Sequence, residues 1–167
     1  MPQSTFATLN AVNCNEHTEK KGNLTYLSWA WAWQIVKSHF PDAIYTVYES
    51  PDNWNYFTDG KTCWVKVGVT IQNLEHIEHL PVMDARNQSI LLSNVKSTDI
   101  NKAIQRALTK ACARHGLGLY IYAGEDLPDT EPKLVSQPQS VRQLPLPQQS
   151  AQQPAWRQNR NQYFSGK

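Results

Sequence analysis

Alternation of apolar and polar residues is clearest from Thr62 to Ile71. Cys63, Val65, Val67, Val69 and Ile71 share one face there, and Trp64, Lys66 and Thr70 the other. A period of two over that length predicts a strand with one face in a core. Ala43 to Tyr48 predicts an earlier strand, separated from it by a polar loop through Asp59-Gly60. Asn73 to His76 is placed to turn the chain into a third strand near Ile77 to Met83, which Pro81 confines to a sheet edge or a bulge. No element is predicted for Asp84 to Lys96.

Twice the apolar period lengthens to that of a helix. Residues 28–39 predict one, entered through Thr25 or Ser28 and ended by Pro41. The run Trp29-Ala30-Trp31-Ala32-Trp33 alternates like a strand, but the i+4 pairs Trp29/Trp33 and Trp31/Ile35 favour the helix. The second helix starts with Ser97, Thr98 and Asp99 as N-cap and first-turn residues and stops at Gly116. Along it Ile100, Ala103, Ile104, Ala107, Leu108 and Ala111 form one broad apolar face. A short apolar strand, Leu117 to Tyr122, is expected next. Helix, three-stranded antiparallel meander, long helix and short strand predict an α+β fold.

Composition divides the chain near Pro128. The 167 residues suffice for one sizeable core. Beyond Pro128, Gln and Pro dominate and apolar residues are too few to bury one, so 1–128 is expected to be the folded domain and 129–167 a disordered tail. The net charge of +2 is unevenly placed, −1 over residues 1–128 and +3 over 129–167. A nucleic-acid site in the folded part must therefore be a local concentration of cations. With no 18-residue apolar run and no charged-then-apolar leader, neither a membrane span nor secretion is expected. Cys14, Cys63 and Cys112 lack ligand-like spacing and read as reduced cytosolic thiols, Cys63 in a strand.

That local concentration lies on the second helix. Lys102, Arg106 and Lys110 follow each other at i+4 away from the apolar face, with Arg114 at its edge, and no acidic residue occurs between Asp99 and Glu125. Such a track suits a polyanion backbone. Taken alone it fits a solvated helix face better.

Two blocks shift that balance. Lys102-Ala103, Arg106-Ala107-Leu108, Gly116-Leu117-Gly118-Leu119-Tyr120 and Gly124-Glu125-Asp126-Leu127 closely resemble Sak-type phage single-strand annealing proteins. These belong to the superfamily of the eukaryotic annealing ring protein of double-strand-break repair. Leu24-Thr25-Tyr26-Leu27-Ser28-Trp29-Ala30-Trp31-Ala32-Trp33 resembles the N-terminal block of the same group. The two blocks bracket residues from about 23 to 127.

The resemblance implies a curved antiparallel sheet backed by the long helix and repeated around a ring or short filament. It implies an ATP-independent, non-enzymatic protein of the host-cell cytoplasm, with no cofactor, that binds single-stranded DNA and anneals complementary strands in phage recombination or replication. Arg106 stands where the wider superfamily carries a DNA-contacting cation, although Gln105-Arg106 replaces the adjacent basic pair frequent among relatives. Lys102, Lys110 and Arg114 follow by helix geometry, and Lys66, beside Trp64, is a fifth candidate. A host single-strand-binding protein and a phage exonuclease are the candidate protein partners.

Signs of other chemistry are sparse. There is no Gly-rich phosphate loop with its Lys and Ser/Thr. His76 and His79 are three apart, so a strand points them to opposite faces, and they read as hairpin polars. Glu49, Asp52, Asp59 and Asp84 are scattered, which leaves a metal-dependent nuclease subunit as the rival without a carboxylate constellation. His115 reads as packed or as compensating the helix dipole. Trp29, Trp31 and Trp33 read as core or subunit interface, with base stacking the lesser alternative. In the tail, Trp156, Arg157, Arg160, Tyr163 and Phe164 mix rings with charges. They suit bases, an acidic apolar partner peptide, or a solvated end without a role. A second rival is accordingly an interaction adaptor that works through this tail.

Overall fold

The computed structural model describes residues 4–21 and 24–123. Gly124 to Leu127, the expected tail and its basic-aromatic cluster (Trp156, Arg157, Arg160, Tyr163, Phe164) lie outside them.

The strand predicted most clearly is the centre of the main sheet. β5 (Cys63–Ile71) buries Cys63, Val65, Val67, Val69 and Ile71 and leaves Trp64, Lys66 and Thr70 half-buried. From Trp64 to Ile71 it pairs antiparallel with β6 (Leu74–Pro81). Its other edge pairs in tandem with β3 (Ile44–Val47) and the two-residue β4 (Phe57–Thr58). The sheet is thus four-stranded, one short strand more than the expected meander. Only Gln72 and Asn73 turn the chain between β5 and β6, both with positive φ (50° and 66°). β6 therefore begins at Leu74, earlier than the expected Ile77. Pro81 ends it at the sheet edge, opposite Trp64, where a missing N–H costs no ladder bond.

Two helices cover this frame. α2 (Trp29–His39) is capped by Ser28, whose Oγ accepts from the Trp31 N–H at 3.5 Å. Thr25, the other candidate cap, lies in a strand. α3 (Ser97–Arg114) is capped one residue earlier than expected: Lys96 is the N-cap, and its N–H donates to Asp99 Oδ2 at 3.1 Å. Ile100, Ala103, Ala107, Leu108, Ala111 and Cys112 are buried in the same core as the β5 valines, with Ile104 half-buried. Three alanines in that row let the helix lie close on the sheet.

The stretch left without an element is a tight connection. Asp84 Oδ1 accepts from the Gln88 and Arg86 N–H groups at 3.0 and 2.8 Å, which holds its carboxyl below the usual range. One 3-10 turn, Leu92–Asn94, then leads into α3.

Three parts differ from expectation. Leu117 to Tyr122 is not a strand: Leu119–Tyr122 forms a 3-10 helix. Gly116 (φ 114°) and Gly118 (φ 64°) both take the left-handed region, which an extended strand does not allow. The N-terminal segment adds α1 (Thr5–Asn10), capped by Ser4, with Leu9 fully buried. It also adds a separate hairpin, β1 (Thr18–Lys21) with β2 (Leu24–Leu27), paired Glu19 with Tyr26 and Lys20 with Thr25.

Candidate nucleic-acid interface

Helix geometry spaces Lys102, Arg106 and Lys110 about 6 Å apart along α3. That is comparable with the phosphate spacing of an extended strand. The structure sets these cations along one wall of a groove of about 330 Å³, whose opposite wall is the β1–β2 hairpin and the first turn of α2. Each is positioned differently. The Lys102 side chain is 73% exposed, with Nζ 3.9 Å from Asp99 Oδ1. A pair that open to water is weak, so Lys102 stays available to an anion. The Arg106 guanidinium lies over the Tyr26 ring, 5.2 Å from its centroid, and Lys110 Nζ lies 5.3 Å from the centre of Tyr122. A ring placed so holds the Arg106 cation without neutralising it.

The other two candidates are elsewhere. Arg114 Nε donates to Glu78 Oε2 at 2.6 Å, and Glu78 is buried on the α3 side of β6. This charge already serves a desolvated carboxylate. Lys66 points from the sheet face turned away from α3, its Nζ 4.4 Å from the Tyr48 ring centre. A strand held along α3 does not reach it. Three of the five cations are therefore brought together.

The tryptophans divide in the same way. Trp33 meets Tyr45 edge-on at 5.1 Å, and Trp31 stacks on His17 at 4.2 Å. Both pack against the core. Trp29 instead lines the groove and is 41% exposed. Tyr26, Trp29, Tyr122, His17 and Glu19 are groove residues that the cation spacing alone did not reveal. The only sequence signal for them was the N-terminal block that holds Tyr26 and Trp29.

Among the remaining titratable groups, His115 is buried, with Nε2 2.8 Å from the Val69 carbonyl oxygen and its ring 4.4 Å from His76. Burial is the main cause that lowers its pKa, with His76 adding to it and the Val69 bond opposing. It is a packed residue at the α3–β5 contact. His76 faces α3, and His79 lies on the opposite face of β6. Cys14, Cys63 and Cys112 are buried free thiols, Cys63 in β5, and burial pushes Cys112 up to about 12. No described helix is long and apolar enough to cross a membrane.

The family model described as Sak Single Strand Annealing Protein matches residues 4–154. The match extends beyond both sequence blocks and takes in α1 and the hairpin. Comparison with curated proteins and with solved structures found no match.

Proposed function

This chain belongs to the Sak single-strand annealing protein family, and on that premise we propose that it holds single-stranded DNA along α3 and anneals complementary strands without ATP. The observation that carries this reading is the groove in which Lys102, Arg106 and Lys110 face an aromatic wall. Cations on one wall fix the phosphates of one strand. Its bases stay open to a partner, so base pairing reads the sequence and the protein does not. Neutralised phosphates also lower the repulsion that the incoming strand meets. The action is binding, in phage recombination or replication, with no bond made or broken by the protein.

One copy offers only a short track, and Phe6, Ile44, Trp54, Leu91 and Leu119 are exposed apolar side chains. Sheet edges and such residues favour a ring or filament of copies in which grooves join end to end. The purified protein is expected to anneal complementary oligonucleotides with neither ATP nor divalent metal, and to show a mass of several protomers by light scattering. Cleavage of DNA that depends on a divalent metal would favour the nuclease rival instead.

The tail has a separate part in this proposal. Trp156, Arg157, Arg160, Tyr163 and Phe164 suit an acidic, apolar peptide such as ends many single-strand-binding proteins. Deleting residues 150–167 is expected to slow annealing of strands coated by the host protein while leaving naked strands nearly unaffected. Equal loss on both substrates would mean that the tail binds DNA directly.

A further inference from the structure

We infer that Trp29 is the residue by which the groove prefers single strands to duplex, its indole acting as a shelf for one unstacked base. The inference rests on the groove being the DNA site. Two of the aromatic residues in its lining already have work: Tyr26 lies under Arg106 and Tyr122 beside Lys110. Trp29 is 41% exposed, and none of the stacked-ring or cation–π pairs among the described residues involves it. Its backbone is also fixed, because it is the first residue of α2 and follows directly on Ser28, the cap.

Geometry then divides the nucleotide between the walls. Phosphates are drawn to Lys102, Arg106 and Lys110 on α3, whereas the facing wall carries the carboxylate of Glu19 and the open indole. A nucleotide seated on the cations turns its base toward that wall, where stacking is the contact on offer. Stacking uses the face of the base and leaves its hydrogen-bonding edge free, so a stacked base still pairs. In duplex both faces of an interior base are covered by its neighbours, and reaching the indole requires unstacking. Once annealed, a strand loses the Trp29 contact while the phosphate contacts remain. The product is then held less tightly than the substrate, which favours its release.

Trp29→Ala is expected to weaken single-stranded DNA binding about tenfold, the size of one base–aromatic stack. Duplex affinity and the salt dependence of both should be unchanged, since no phosphate contact is lost. Trp29→Phe, which keeps a ring on the exposed first turn, should restore most of the loss. Equal loss on single strands and duplex, no loss on either, or a change in oligomer mass that places Trp29 at a subunit contact would each overturn the shelf. Arg106→Ala separates this from the groove itself. If it lowers affinity and salt slope while Trp29→Ala does nothing, the groove stands and the shelf falls; if neither variant matters, the groove falls too.

Discussion

Alanine at Lys102, Arg106 and Lys110 together is expected to weaken single-stranded DNA binding about 100-fold near 0.1 M salt. The slope of log affinity against log salt should fall by about 2. Each single-strand phosphate contact contributes about 0.7 to that slope, which at 0.1 M corresponds to about fivefold in affinity. Three contacts multiply. The side chains lie outside the apolar face that anchors α3, so the fold should survive. Arg114→Ala, on the same helix, is the internal control. It strips the buried Glu78 carboxylate of its partner and should cost about 1–3 kcal/mol of stability, with the salt slope unchanged. Anisotropy titrations at several salt concentrations, with urea unfolding of both variants, separate the two effects. An unchanged slope in the triple variant would remove DNA from the groove.

Arg106 and Arg114 look alike in the sequence because helix spacing is local and ion pairing is not. Glu78 lies 36 positions before Arg114 and reaches it only because β6 runs beneath α3. No period along the chain encodes that meeting. The elements that were legible, β5 above all, are those where a single buried face dictates every second residue. The β1–β2 hairpin was not legible, because Thr18-Glu19-Lys20-Lys21 has no apolar face of its own. Its partner strand is held from the other side, where Leu27 is buried and lies near Gly118 of the chain that follows α3. With the hairpin unseen, the groove had one wall, and Trp29 had no visible reason to face it.

Those same contacts explain what Gly116-Leu117-Gly118-Leu119-Tyr120 does. It carries no charge. Leu117 is fully buried, and the Tyr120 hydroxyl accepts from the Cys14 N–H at 3.0 Å and donates to Asn15 Oδ1 at 2.8 Å. The segment fastens the N-terminal residues, and with them the approach to the hairpin wall, to the end of the basic helix.

Gly116→Ala should therefore lower folding stability by about 3 kcal/mol, well beyond the cost of its backbone angle alone. At φ 114° a Cβ is strained wherever it sits, and here it would also come within 2.6 Å of the Phe6 carbonyl oxygen and 3.1 Å of the Asn10 nitrogen. Both are backbone atoms of α1, so no side chain can swing aside; α1 must shift, and the fully buried Leu9 shifts with it. Gly60→Ala isolates the first contribution. Its φ is 88° with nothing within 4 Å of the added carbon, so only the conformational cost of about 1 kcal/mol applies. Urea midpoints for the two variants give the difference directly. A loss at Gly116 no larger than that at Gly60 would mean that α1 does not press on the end of α3, and the fastening role would go with it.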